Sequence, residues 1–232
     1  MIYLAGDTHG GLDIGKLSTI TATKKDYLII LGDFGVLWSD KPNERELSLL
    51  SFYNKQPYTT LFLDGNHENH SRLASYPVEE WHGGKIHRIT NSVYHLMRGQ
   101  VFVIEGLKFF TFGGALSIDK NMRVENISWW PQEIPNYAEV EEGLKNLENN
   151  QYNVDYVLTH TCPTKLINKM LNFYSVIYED PTNEILDGFL ELTQFNHWFF
   201  GHWHLDRHFK KPDEKFTCLY NDIITLKGRK NV

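Results

Sequence analysis

Seven residues spread over the chain carry side chains that hold divalent cations: Asp7, His9, Asp33, Asn66, His160, His202 and His204. Two carboxylates, four imidazoles and one amide oxygen make a donor set of intermediate hardness. Such a set suits Mn, Fe, Zn or Ni and does not suit a thiolate-type centre. Seven donors exceed the roughly four that a tetrahedral zinc takes, and they match two ions that share a carboxylate. Asp7 and His9 stand two residues apart, as do His202 and His204. On an extended segment the members of each pair face the same way, while Thr8 and Trp203 face the other. Alone, a His-x-His or a Gly-Asp reads as a surface turn, so the argument rests on how many such clusters there are and where they stand.

Each cluster ends an apolar run. Ile2 to Ala5 leads into Gly6-Asp7-Thr8-His9-Gly10, Tyr27 to Leu31 into Gly32-Asp33, and Thr60 to Leu63 into Asp64-Gly65-Asn66-His67-Glu68. Asp155 to Leu158 leads into Thr159-His160, and Trp198 to Phe200 into Gly201-His202-Trp203-His204. Short runs of Ile, Leu, Val, Tyr and Phe without polar alternation predict strands buried on both faces. Between them, helical spacing appears over 43–55 (Leu47, Leu50, Tyr53), 137–149 (Val140, Leu144, Leu147) and 182–194 (Ile185, Leu186, Phe189, Leu192). Strands alternating with helices predict parallel pairing and right-handed crossovers. The C-terminal strand ends then share one edge, where open α/β sheets place their ligands. Residues 100–113 read as a hairpin around Glu105-Gly106 and residues 216–226 as another around Asn221-Asp222, so the sheets are expected to be mixed. Gly6, Gly10, Gly32, Gly65 and Gly201 allow positive φ and close backbone approach where each strand turns.

The 232 residues, 41% hydrophobic, contain no linker, repeat or low-complexity tract, which is consistent with a single domain over 1–232. Net charge is −6 with Lys and Arg scattered, so duplex nucleic acid is not the expected partner. The N-terminus lacks a basic leader, and no stretch of about 18 apolar residues occurs. A cytoplasmic protein without membrane association is expected. Cys162 and Cys218 read as buried, reduced thiols. His70, His82, His87, His95, His197 and His208 default to structural or solvated roles.

The five blocks, in this order and spanning residues 5 to 204, resemble the calcineurin-like metallophosphoesterases. The resemblance implies an α/β fold of two packed mixed β-sheets flanked by helices on both outer faces. It also implies a dinuclear centre: Asp7, His9 and His204 on one metal, Asn66, His160 and His202 on the other, and Asp33 bridging. The cofactors would be two divalent metal ions, manganese first, with Fe, Zn or Ni as alternatives. The activity implied is hydrolysis of phosphate mono- or diesters, a metal-bridging hydroxide attacking phosphorus with no covalent intermediate. His67 would act as general acid, its unperturbed pKa being about 6.5.

The chain departs from the protein Ser/Thr phosphatases of that superfamily. They carry an acid and an arginine after the second motif; here the segment reads Phe34-Gly35-Val36-Leu37-Trp38. Val36 stands at the acidic position and no arginine follows. This points away from phosphoproteins and toward a small phosphorylated substrate, nucleotide-like compounds included, with diesters ahead of monoesters. It also leaves the orienting partner of His67 unidentified. Glu68 either bonds a metal ligand or is solvated. Residues 114–136 lack periodicity; Arg123, Trp129 and Trp130 there form a lid over the substrate or anchor the segment to the core. Two other functions compete: a nuclease acting on nucleic-acid ends or short oligonucleotides, which needs a basic groove, and a non-catalytic scaffold, which the presence of every ligand and of His67 argues against.

Overall fold

The first strand, β1 (Ile2–Ala5), puts Ile2 and Leu4 into one hydrophobic cluster and Tyr3 and Ala5 into another. A period of two with apolar residues on both sides suits a strand lying between two packed layers. β2 (Tyr27–Ile30) and β3 (Thr59–Phe62) divide the same way: Ile29 and Leu61 join Leu4, whereas Leu28, Ile30 and Phe62 join Tyr3. The computed structural model describes residues 1–171 and 179–229.

Two mixed sheets follow. With β4 (Val78–Trp81), β5 (Gly84–Arg88), β6 (Val93–Leu96) and β13 (Ile223–Leu226), the first has the order β13-β1-β2-β3-β6-β5-β4. Its β1, β2, β3 and β6 are parallel. The second contains β7 (Gln100–Ile104), β8 (Leu107–Phe112), β9 (Tyr156–Thr159), β10 (His197–Phe200), β11 (Arg207–His208) and β12 (Phe216–Cys218), in the order β11-β12-β10-β9-β8-β7. Here β8, β9, β10 and β12 are parallel.

Leu4, Leu61, Phe102, Phe109, Leu158 and Phe199 fill the space between the sheets. Each such side chain contributes about 1.5–3 kcal/mol on burial. Outside the first sheet, α1 (Glu44–Asn54) and α2 (His70–Leu73) add Leu50, Tyr53 and Leu73. Outside the second, α3 (Tyr137–Asn149), α4 (Thr164–Leu171) and α5 (Pro181–Leu192) add Leu147, Leu166, Met170, Leu186 and Phe189. The expected helix, sheet, sheet, helix layering is what the chain forms. Asn43, Asn136 and Asp180 cap the starts of α1, α3 and α5, so sequence pattern and helix start agree. Among the described residues no helix is long and apolar enough to cross a membrane.

Four expectations fail, one of them on α3, where Leu144, read as part of the apolar face with Val140 and Leu147, is 36% exposed. Residues 216–226 are not a hairpin: β12 lies in the second sheet and β13 pairs with β1 in the first. The N–H groups of Tyr220, Asn221 and Asp222 donate to the Asp206 carboxylate, at 2.7, 3.0 and 2.9 Å. That side chain takes the place of a hairpin turn and lets the chain cross between sheets. On α1, Leu47 is 56% exposed, and the buried side is Glu46, Leu50 and Tyr53. Glu46 is buried because Arg72 donates to both its oxygens at 2.5 Å. On α5, Leu192 faces outward, 49% exposed. Cys162 and Cys218 are buried free thiols, as expected.

Candidate metal centre

The five strand ends deliver their polar residues to one place. Asp7 and His9 follow β1, Asp33 follows β2, Asn66 follows β3, His160 follows β9, and His202 and His204 follow β10. Donor atoms of Asp7, His9, Asp33 and His204 all lie within 4.8 Å of one another. Asp33 connects this group to the rest: its Oδ2 is 3.3 Å from His9 Nε2, and its Oδ1 is 3.2 Å from His160 Nε2. His160 Nε2 is also 3.2 Å from Asn66 Oδ1. The His160 and His202 rings meet edge to face, centroids 4.9 Å apart. His67 stands beside them, its ring 5.4 Å from that of His9. Trp203 packs against the core outside the second sheet.

Other side chains aim these donors. His9 Nδ1 is bonded to Asp13 Oδ2 at 2.6 Å and His160 Nδ1 to the Leu31 carbonyl at 2.8 Å. Each bond leaves Nε2 facing Asp33. The Asn66 amide donates to Ser117 Oγ at 3.2 Å, which directs its oxygen to His160. Ser117 is held in turn by Glu133, through its hydroxyl at 2.7 Å and its N–H at 2.8 Å. Lys16 donates to the backbone carbonyls of Asp7 and Tyr220. Sequence reasoning passes over all of these; only Asp13, four residues from His9, has a spacing that signals a partner.

Of the two roles considered for residues 114–136, the anchor is the one the structure shows, and it is made by Trp130. Trp130 is 1% exposed and meets Trp38 edge-on at 5.3 Å, so it anchors the segment. Arg123, paired with Asp119 at 2.8 Å, lines a cleft of about 410 Å³ over the centre together with Asp33, Asn66, His67, His202 and His204.

The turns are tight. His9, Asp33, His202 and His204 have φ of 44°, 47°, 69° and 51°. Left-handed backbone costs a residue with a Cβ about 1–3 kcal/mol. Of the glycines at the strand ends, Gly10 and Gly32 take positive φ, and Gly6, Gly65 and Gly201 serve close approach. A Cβ on Gly65 would lie 2.1 Å from Asp33 Oδ1, and one on Gly201 2.4 Å from Asp7 Oδ1.

Asp7 and Asp33 are at most 1% exposed. Burial opposes their ionisation, but the surrounding imidazoles prevail: His204 and His160 lower Asp7, and His160 with His9 holds Asp33 well below the usual carboxylate range. The effect is reciprocal. Burial disfavours charge on His9 and His160, yet Asp33 pushes them up to about 9 and about 10. Two buried carboxylates require positive charge, and protons on these rings supply it when no cation does. Asp7 Oδ2 is buried and makes no hydrogen bond, with His204 Nε2 3.2 Å away. A buried carboxylate oxygen facing an imidazole, a demand for positive charge and a nitrogen and oxygen donor set together fit divalent cations.

The His67 N–H donates to Asp33 Oδ1 at 2.8 Å. Burial lowers its imidazole below the ordinary value, Asp33 opposing and Arg123 adding to the shift. Its ring lies 25° from that of Trp38, centroids 6.1 Å apart. Glu68 is neither solvated nor bonded to a donor side chain. It is buried, pushed well above the usual range by that burial, and accepts the Gly35 N–H at 3.2 Å, bracing the turn that presents Asp33. His70 and His95 brace the turn after β3, through the Gly65 carbonyl and Asp64, each at 3.1 Å.

The family model for calcineurin-like phosphoesterases matches residues 1–206. The lariat debranching enzyme of Schizosaccharomyces pombe (strain 972 / ATCC 24843) is 26% identical over 256 residues, covering 97% of this chain and 53% of that protein. This chain thus spans about half the length of that relative. The crystal structure of phosphopantetheinyl hydrolase from Mycobacterium tuberculosis is similar with a TM-score of 0.47 and 16% identity, over 94% of this chain and 89% of that one.

Proposed function

The chain belongs to the calcineurin-like phosphoesterase family, and from that premise we propose that it hydrolyses phosphate esters with two divalent cations, diesters ahead of monoesters. One observation carries the reading: the two oxygens of Asp33 face different imidazoles, His9 at 3.3 Å and His160 at 3.2 Å. A buried carboxylate so placed supports a bridging role. In this reading Asp7, His9 and His204 hold one cation, Asn66, His160 and His202 the other, and Asp33 is shared. Manganese suits these donors, as do iron, zinc and nickel. Divalent cations held by these residues would supply Lewis-acid chemistry, activating water and offsetting phosphate charge.

The chain's own residues do the rest. A water oxygen, losing one proton to solvent, forms the new bond to phosphorus while the ester P–O bond breaks; the departing oxygen keeps the electron pair and takes the proton of protonated His67, which solvent then restores. Asp13 and the Leu31 carbonyl hold His9 and His160 in place, and Arg123 offers a guanidinium to a phosphate oxygen. The segment after Asp33 has no arginine for a terminal phosphate, and Val36 is 3% exposed, which favours a diester and a small, nucleotide-like substrate. Similarity to a lariat debranching enzyme supports a second reading, a nuclease for short oligonucleotides or nucleic-acid ends. The net charge of −6 weighs against a duplex substrate.

The test is hydrolysis of bis-p-nitrophenyl phosphate, p-nitrophenyl phosphate and a short single-stranded oligonucleotide by protein stripped of metal and then reloaded with manganese. Turnover of the diester that depends on reloading is expected. Two bound ions with no turnover of any substrate would overturn the proposal and leave a scaffold.

A further inference from the structure

A second cleft opens on the other side of His67. It measures about 330 Å³ and lies between the turn after β1, the loop after Asp33 and the first half of α1. Leu12, Val36, Trp38 and Leu49 give it mainly apolar walls. His67 lines this cleft and also the one over Asp33, so the two spaces meet at that imidazole.

The polar groups beside it are already engaged. Asn43 accepts the Glu46 N–H at 3.0 Å as the cap of α1, and its amide donates to Ser39 Oγ at 2.8 Å. The Glu46 carboxylate is bonded twice to Arg72, at 2.5 Å each. Arg45 is exposed at the rim. Arg45 aside, the polar groups of the wall are paired, so the interior suits an apolar or flat occupant. Trp38 favours a flat one. Its ring packs edge-on against the buried Trp130, centroids 5.3 Å apart.

We infer that this cleft receives the leaving alcohol of the ester, that the alcohol carries a planar, uncharged aromatic group as a nucleoside does, and that Trp38 selects it. The inference rests on the phosphoesterase reading above. If His67 gives its proton to the departing oxygen, the group on that oxygen lies next to His67, and His67 and the metal donor His9 both line this cleft. The apolar cleft is the space found there. The second substituent of a diester then occupies the cleft that Arg123 lines. A monoester would leave one of the two spaces unused.

The experiment measures adenosine and ribose binding to the manganese-loaded protein by calorimetry, beside hydrolysis of bis-p-nitrophenyl phosphate. Adenosine should bind and ribose should not. Trp38→Ala should weaken adenosine at least about tenfold, the effect of removing a stacked base–aromatic contact. Because Trp38 also touches Trp130, a second variant guards against misfolding: Leu12→Glu, at a position 77% exposed, should weaken adenosine too. Wild-type protein that ignores adenosine, or two variants that bind it like the wild type, would overturn the inference. Hydrolysis without adenosine binding would overturn the cleft assignment alone; adenosine binding without hydrolysis would overturn the leaving-group role together with the esterase reading.

Discussion

The backbone N–H of His202 donates to Asp7 Oδ1 at 3.0 Å, joining positions 195 residues apart. This bond ties the end of β10 in one sheet to the end of β1 in the other, and it requires Gly201. A Cβ there would lie 2.4 Å from Asp7 Oδ1 and 3.1 Å from the Leu31 carbonyl oxygen. Gly201→Ala should therefore destabilise the protein by about 1–3 kcal/mol, the usual penalty of overpacking, and retain fewer than two ions after gel filtration. Gly188→Ala on α5 is the control: its Cβ would meet nothing within 4 Å, and it should stabilise by about 0.4–1 kcal/mol. Denaturant midpoints and metal analysis on the two variants check the contrast. Equal behaviour would refute the steric account.

Protonation of the centre makes a pH prediction. His9 and His160 are pushed up to about 9 and about 10, chiefly by Asp33 acting against burial. A raised folded-state pKa contributes stability that is complete below the unfolded value, about 6.5 for His. That contribution is lost as pH rises through 9 to 10. Metal-stripped protein should melt at lower temperature at pH 9 than at pH 6.5. Protein loaded with manganese should lose less, because the cations take over the charge of those protons. Parallel melting curves with and without metal would contradict this.

Much of the centre was legible because its strands are buried on both faces and stop at donors. β1 could be read as Ile2 to Ala5 since no polar residue interrupts it. What aims the donors was not legible, because a hydrogen bond to a ligand imposes no fixed spacing. Ser117 and Glu133 reach Asn66 from a segment without periodicity, and Arg98 reaches Asp64 across 34 residues. The region after β12 misled for a similar reason. Asp206, whose carboxylate takes three N–H groups, lies 14 to 16 residues before the turn it stabilises. Leu47 misled because a buried Glu46 is inconsistent with an apolar stripe until Arg72 is placed beside it.

Arg98 and Asp64 carry a stability prediction. Both are nearly inaccessible, and Arg98 donates to Asp64 Oδ2 through Nε at 2.8 Å and Nη2 at 2.5 Å. Nη2 also donates to the Gln132 carbonyl at 2.9 Å, so one guanidinium connects the turn after β3 to the segment that holds Asn66. Arg98→Leu leaves the buried Asp64 carboxylate with His95 in place of a full guanidinium pair, which costs about 3–5 kcal/mol. Urea unfolding reads the loss directly. A change below about 1 kcal/mol, the scale of an exposed pair, would show that His95 alone satisfies Asp64.

His67 is the residue on which the chemistry of the proposed hydrolysis turns. It shares no ring hydrogen bond with the donors; its link to them is the backbone N–H to Asp33 Oδ1 at 2.8 Å, which any residue at 67 other than proline can make. Replacing the side chain should thus leave both cations bound. His67→Ala should lower turnover about a hundredfold or more on a diester whose leaving group is an alkoxide, the scale of a lost general acid. The loss should be smaller on bis-p-nitrophenyl phosphate, because p-nitrophenolate departs without needing a proton. Turnover of both esters together with metal content separates the roles. An equal loss on the two esters would mean that His67 positions substrate and does not donate a proton, and loss of metal would mean that it supports the centre itself.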